Sequence, residues 1–285
     1  MKKIFLTLII SALTTSGIMA QNNSEPATMD VNSYQGVNSA LTDSIHDDFD
    51  ISHEYEWFQD TSTRKYGYKH NGRVVIPARY DIASPFNNGL AYVSINGKWG
   101  FIDKKGTLVI PAIYDSVWYF SEGRAPVKID GKWGFIDKTG ALIIPAKYTS
   151  VGFYCEGLAS VEINGKWGFI DKTDALVIPA KYDNVGSFSE SLTPVQINGK
   201  WGYIDKTGAL VIPAKYDGVW DFSDGRGRVL LNSKYGFIDK KGTLVIPAIY
   251  DNAYSFKNGK AKVKLTSRWL TIDPSGAPDP SPSPR

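Results

Sequence analysis

Apolar and variable residues alternate with a period of two in short runs that return along most of the chain. In Ala125-Pro126-Val127-Lys128-Ile129 the alternation predicts a strand with one buried face. The buried positions recur as Val93, Val127, Val161, Val195, Val229 and Val263, then as Ile95, Ile129, Ile163, Ile197, Leu231 and Leu265. Between them stand Ser94, Lys128, Glu162, Gln196, Leu230 and Lys264, a column without fixed chemistry that assigns the other face to solvent. The run ends in Asp130-Gly131, or Asn-Gly at 96–97, 164–165 and 198–199, where both residues take positive φ at low cost and make a two-residue turn. Lys132 to Asp137 must therefore run back antiparallel. Asp137-Lys138-Thr139-Gly140 turns the chain again, and Leu142-Ile143-Ile144 forms a third strand that Pro145 closes.

This meander is one copy of a repeat. Trp133, Trp167, Trp201, Tyr235 and Trp269 follow Trp99 at successive intervals of 34 residues, and a looser copy begins at Tyr66-Gly67-Tyr68. Units of this kind cannot bury their apolar faces alone and stack on their neighbours. Two aromatic columns run through the connecting segments: Tyr80, Tyr114, Tyr148, Tyr182, Tyr216 and Tyr250, then Phe86, Phe120, Tyr154, Phe188, Phe222 and Phe256. They read as wedges between neighbouring sheets, on a short irregular strand or turn. Counting gives six full meanders and a final hairpin, Lys260 to Leu265 with Arg268 to Asp273. Asp174 in place of the turn glycine, and Thr149 in place of aspartate, are lapses expected to loosen their turns.

With Gly-Lys-Trp-Gly-Phe-Ile-Asp-Lys-Thr-Gly and Ile-Pro-Ala-Lys-Tyr-Asp, the sequence resembles the bacterial WG-repeat (KWG-repeat) family over about residues 60–275, in seven tandem matches. The resemblance implies an all-β repeat protein, often exported, with no established catalytic activity or ligand. Helical repeats of the same period are excluded, because proline after each Ile and Asn-Gly between strands break helices.

The ends of the chain differ from the array. Met1-Lys2-Lys3, the apolar run from Ile4 and the small residues up to Ala20 have the form of a secretory signal peptide of residues 1–20, too short and polar for a comfortable membrane span. Residues 21–53 read as a polar linker with a short helical turn near Leu41 to Ile45, residues 54–273 as the repeat domain, and 274–285 as a disordered Pro/Ser tail. Losing Lys2 and Lys3 with the leader brings the formal charge from +3 to +1, which leaves no basic footprint for nucleic acid or an anionic membrane surface. Cys155 is the one cysteine, so no intramolecular disulfide forms. The 8 Trp and 16 Tyr supply the core instead.

Candidate chemistry is sparse. Asp103, Asp137, Asp171, Asp205, Asp239 and Asp273 are regularly spaced carboxylates, but each sits at a turn that explains it. His46, His53 and His70 show no metal-ligand spacing, and no cofactor motif appears, so catalytic residues, metal and cofactor are all read as none. Trp99 and Phe101, two apart on one strand face, belong to the core between sheets, with their copies. Recognition is sought where units differ, in connecting segments. Trp118, Tyr119, Phe153, Trp220 and Tyr254 are the candidate surface for a protein partner or a glycan; alternatively, large and small residues in these columns complement each other between adjacent units.

The reading is an all-β chain of tandem three-stranded antiparallel meanders in an open, curved, solenoid-like array, with a closed propeller-like ring as the alternative. The expected function is a non-catalytic, exported binding or scaffold protein of the periplasm, cell surface or exterior. A carbohydrate-binding module is the second reading, and an enzyme with an unrecognised site the third.

Overall fold

The computed structural model describes residues 54–279. The leader, the polar linker with its helical turn, and His46 and His53 lie outside the described residues. The described chain is all β, in seven consecutive antiparallel sheets of three or four strands. Among the described residues no helix is long and apolar enough to cross a membrane. The chain divides into two compact units, 54–162 with 172–174, and 163–171 with the residues from 175 onward; the division falls within the fourth sheet.

The third sheet shows the plan. Its strands are Ser116–Val117, Arg124–Ile129, Lys132–Asp137 and Leu142–Tyr148, neighbours in that order. The three long strands are those of the predicted meander. The fourth is the short strand in the connection, which pairs Ser116 with Lys128 and Val117 with Val127. Each connecting segment thus ends one repeat and supplies the first strand of the next. Among the described residues the first sheet has the three long strands Tyr55–Gln59, Tyr66–His70 and Arg73–Tyr80 without a short one, and the last, from Asn252 to Ile272, has no outer long strand.

Pro145 does not close the third strand, which runs on to Tyr148. The register explains why. Trp133 pairs with Tyr148 and Phe135 with Ile144, so Pro145, Ala146 and Lys147 bulge opposite the single residue Gly134. Proline is tolerated there because a bulge frees it from the ladder. The bulge folds over Gly134, where a Cβ would stand 2.4 Å from the Ile144 carbonyl oxygen and 2.7 Å from the Ala146 nitrogen. The glycine of Trp-Gly and the proline of Ile-Pro-Ala are therefore two halves of one close backbone approach.

Side chains directly opposite in a ladder share a face, and faces alternate along a strand. In the first unit Trp99, Phe101, Ile110 and Tyr114 from the second sheet pack against Val117, Ala125, Val127 and Ile136 from the third, with Phe120 wedged between. In the second unit Trp201, Tyr203, Ile212 and Tyr216 pack against Val219, Val229 and Ile238 around Phe222. Stacking covers both faces of an inner sheet. The column assigned to solvent is therefore wrong in part: Ser94 is buried, and Lys128, Glu162, Gln196, Leu230 and Lys264 are half-buried. The valine column is fully buried, whereas the Ile95 column nearer the turns is only half so, and Leu265 is exposed. The repeated Trp grades likewise: Trp99, Trp133 and Trp201 are buried, Trp167 half-buried and Trp269 exposed.

The fixed aromatics of the connections are wedges and latches. Phe120 meets Phe101 at 5.0 Å between ring centroids, Tyr154 meets Phe135 at 5.0 Å and Phe188 meets Phe169 at 5.0 Å, each contact worth about 1 kcal/mol beyond its buried area. Tyr114 Oη donates to the Gly140 carbonyl at 3.4 Å, and Tyr182 Oη to that of Gly208 at 3.5 Å, in each case the turn glycine of the next repeat. Asp174 takes this glycine's place at φ 72° and does not leave its turn loose. Its carboxylate accepts the Tyr148 hydroxyl at 2.6 Å and the Lys147 ammonium at 2.5 Å, so a side chain replaces the missing carbonyl contact.

Residues 274–279, placed by composition in the tail, continue the pattern. Gly276 N donates to Asp273 O at 2.9 Å, Asp279 N to Thr271 O at 2.8 Å, and Lys260 pairs with Asp279 at 2.6 Å. Pro-Ser-Gly is thus one more copy of the turn, because Asp273 supplies its anchor as the other turn aspartates do.

Candidate functional site

The turn aspartates are explained by geometry. Asp137 Oδ1 accepts the backbone N–H groups of Thr139 at 2.8 Å and Ala141 at 3.1 Å, and Asp205 accepts those of Thr207 and Ala209 in the same way. A hydroxyl from Thr139 or Thr207 adds the largest effect and holds each carboxyl below its ordinary range. A second set, Asp115, Asp183 and Asp217, is held low first by an ammonium, from Lys98, Lys166 and Lys200. Asp183 and Asp217 also cap the next hairpin turn by accepting the N–H of Asn198 and Asn232. His70 stacks on Tyr55 and bonds the Glu54 carbonyl. Among the described residues no three His, Cys, Asp or Glu side chains come together in a way that could hold a metal ion.

The variable aromatics fall into two groups, one in each unit. Trp118 and Tyr119 follow the short strand Ser116–Val117, whose ladder continues through Trp118 N to Pro126 O at 3.0 Å. That bond aims the indole along the sheet face, 4.8 Å from the ring of Trp133 and 5.3 Å from Phe153 of the next connection. Tyr119 reaches back to Tyr92 at 4.7 Å, and Lys128 lies over Trp133. Trp118, Tyr119 and Phe153 are all half-buried.

In the second unit Trp220 follows Gly218–Val219 and packs tilted against Tyr235 at 5.4 Å, while Tyr254 packs tilted against Trp269 at 5.4 Å. Trp220 is half-buried; Tyr254 is 58% exposed and Trp269 41%. The complementation alternative also has its example. Gly186 stands in the column of Trp118 and Trp220, and its place is filled by the Pro194 ring, 2.9 Å from where a Cβ would be, and by the Asp221 carboxylate at 3.2 Å.

Asp221 and Arg228 are site residues that sequence reasoning did not select. The Arg228 guanidinium lies 4.0 Å from the Trp220 ring centroid and 5.9 Å from that of Tyr235, and it donates to the Ala253 carbonyl. Both side chains are only half-buried as residues, yet Asp221 Oδ1, Arg228 Nε and the indole N–H of Trp201 are each sealed from solvent without a hydrogen-bond partner. Burial pushes the Asp221 carboxyl up to about 7, against the opposing pull of Arg228. The one signal in the sequence was that Asp221 is the only acid in its column and Arg228 the only arginine in its own.

This yields a pH prediction. In the unfolded chain the carboxyl titrates near 4, so between pH 4 and 7 the folded state holds a proton that the unfolded state has lost, and stability falls as pH rises through this window. Asp221→Asn is expected to flatten that slope and raise stability at pH 8 by about 2 kcal/mol. Denaturant unfolding at pH 5 and 8 checks it; equal slopes for the two proteins would show that the carboxyl is solvated.

Comparison with known proteins follows the same repeat. The profile of the WG containing repeat matches residues 68–99, 99–133, 133–167, 167–201, 201–235 and 235–269, every boundary from 99 onward falling at the repeated aromatic. No curated protein matches the chain. Among solved structures, a eukaryotic initiation factor shares 11% identity over 79% of this chain and 74% of its own, with a TM-score of 0.53. Kluyveromyces lactis Hsv2 with its loop 6CD replaced by a Gly-Ser linker shares 8% over 79% and 91%, with a TM-score of 0.46. At such identities the first likeness concerns the fold alone, a β-propeller-like repetition of small sheets. The matched repeats tile residues 68–269 without a gap, and the chain belongs to the WG-repeat family.

Proposed function

We propose that this chain is a non-catalytic binding or scaffold protein of the cell envelope that presents its repeat surface to a protein partner. The observation that carries the reading is the state of the variable aromatics: Trp118, Tyr119, Phe153 and Trp220 are half-buried, each with a ring neighbour that holds it. Rings already immobilised lose little entropy on contact, and such residues dominate interface energies. A non-catalytic role is supported by the turn and ion-pair bonds that occupy the repeated carboxylates. Export rests on the leader-like residues 1–20, and amino-terminal sequencing of the protein from its native cell tests it.

A carbohydrate ligand is the second reading, favoured by the exposed Tyr254 and Trp269 rings, which pack against each other. Capture of partners from an envelope extract, repeated with Trp118→Ala and Trp220→Ala, separates the two. The expected result is a protein retained by the wild type and weakened at least about tenfold by either variant. Binding on a glycan array that Tyr254→Ala abolishes, with no protein captured, favours the sugar. Capture unaffected by all three changes removes the aromatic surface from the account.

A further inference from the structure

Three hairpin tips are alike in sequence and in backbone. Ile-Asn-Gly-Lys-Trp-Gly stands at 95–100, 163–168 and 197–202. Asn96, Asn164 and Asn198 have φ 52°, 52° and 51°, Gly97, Gly165 and Gly199 have φ 76°, 75° and 78°, and all three pairs are exposed. Asn-Gly is a chemically labile pair, because glycine puts no side chain in the way of its own nitrogen. What differs is the column that covers the tip. Asp81 Oδ2 accepts the Asn96 N–H at 2.6 Å, and Asp183 Oδ2 accepts the Asn198 N–H at 2.7 Å. Each of these carboxyls is held below its ordinary range first by an ammonium, from Lys65 or Lys166, and also by the N–H groups of the Asn and Gly that it caps. In the repeat of Asn164 the same column holds Thr149, which carries no carboxylate.

From this contrast we infer that Asn164 is a site of spontaneous covalent modification, an asparagine that converts to aspartate and isoaspartate, and that Asn96 and Asn198 are protected copies of it. The reaction needs only water. Gly165 N gives up its proton to solvent and attacks Asn164 Cγ; the new N–Cγ bond forms, the Cγ–Nδ2 bond breaks, and Nδ2 takes up a proton and leaves as ammonia. Water then opens the five-membered imide at one carbonyl or the other. One opening leaves aspartate, and the other leaves isoaspartate, with the main chain running through the side-chain carbon. Ring closure requires the tip to leave its hydrogen-bonded turn. A carboxylate on both N–H groups resists that opening, and its charge disfavours removal of the glycine proton. Either product puts a negative charge at 164, and isoaspartate adds one carbon to a turn built for two residues.

Peptide mapping by mass spectrometry of the full chain, aged folded at mildly alkaline pH, tests the ranking. Asn164 is expected to convert at least about tenfold faster than Asn96 or Asn198, the effect of one charge-assisted hydrogen bond. In denaturant the three are expected to convert alike, as their shared sequence requires. Asp183→Thr, which copies the column as it stands at Thr149, is expected to raise the Asn198 rate at least about tenfold. Asp217→Thr is the control: Asp217 caps the neighbouring turn through the Asn232 N–H at 2.8 Å, so its loss should leave Asn198 slow. Equal rates at the three tips of the folded chain overturn the inference. So does an Asn198 rate that Asp183→Thr leaves unchanged, or that Asp217→Thr raises as much, which would trace the chemistry to general loosening of the sheets.

Discussion

Alanine at Gly202 is expected to cost about 3 kcal/mol or more, enough to unfold its repeat, although the change adds one methyl group. The new Cβ would stand 2.4 Å from the Ile212 carbonyl oxygen, 2.7 Å from Ala214 N and 2.8 Å from the Pro213 carbonyl carbon. All three are backbone atoms held by the bulge that sets Trp201 opposite Tyr216 and Tyr203 opposite Ile212, so none can swing aside as a side chain would. Gly199, in the neighbouring turn, is the control. It has φ +78° and nothing within 4 Å of an added Cβ, so alanine there meets only the left-handed backbone penalty, about 1 kcal/mol. Thermal unfolding of the two variants checks the contrast. If they shift alike, the glycine of the motif is conformational, and the close approach of the bulge is not what selects it.

The repeated tryptophan gives the second large effect, and its size should depend on position. Trp201→Ala empties a 3% exposed site between the fifth and sixth sheets and is expected to cost about 3 to 5 kcal/mol. Trp269→Ala removes a 41% exposed ring from the last sheet and should cost about 1 kcal/mol or less. A repeat array need not unfold in one step, so hydrogen exchange resolved by sheet is the better measurement. Loss of protection at Val219 and Val229 in the first variant, and its retention in the second, is the expected outcome. Equal and small losses would mean that the indole is displayed and not packed.

The two substitutions mark where a sequence is legible. That Trp99 and Phe101 share a buried face follows from the two-residue period, and the Asn-Gly turns follow from φ alone, because these are local properties of a strand and a turn. Pro145 reads locally as a strand end. It is not one, because the partner strand accommodates it with a glycine eleven residues earlier. Asp174 reads as a defect until Tyr148 and Lys147 of the preceding repeat are seen to satisfy it. The candidate surface divides in the same way. Variation among repeats points to Trp118, Tyr119, Phe153, Trp220 and Tyr254, but no periodicity says that Arg228 slides under Trp220 or that Pro194 and Asp221 fill the space at Gly186.

Period, turn chemistry and aromatic columns therefore determine, without coordinates, that this chain is a row of antiparallel sheets, since hydrogen bonding between adjacent strands and a two-residue alternation leave no other way to bury those columns. Which face meets which, which carboxylates are held by a turn and which one is stranded beside an arginine, and how far each copied ring is covered were decided only by packing one sheet on the next. Those outcomes depend on atoms from different repeats meeting within a few ångströms, a distance to which a linear pattern is blind.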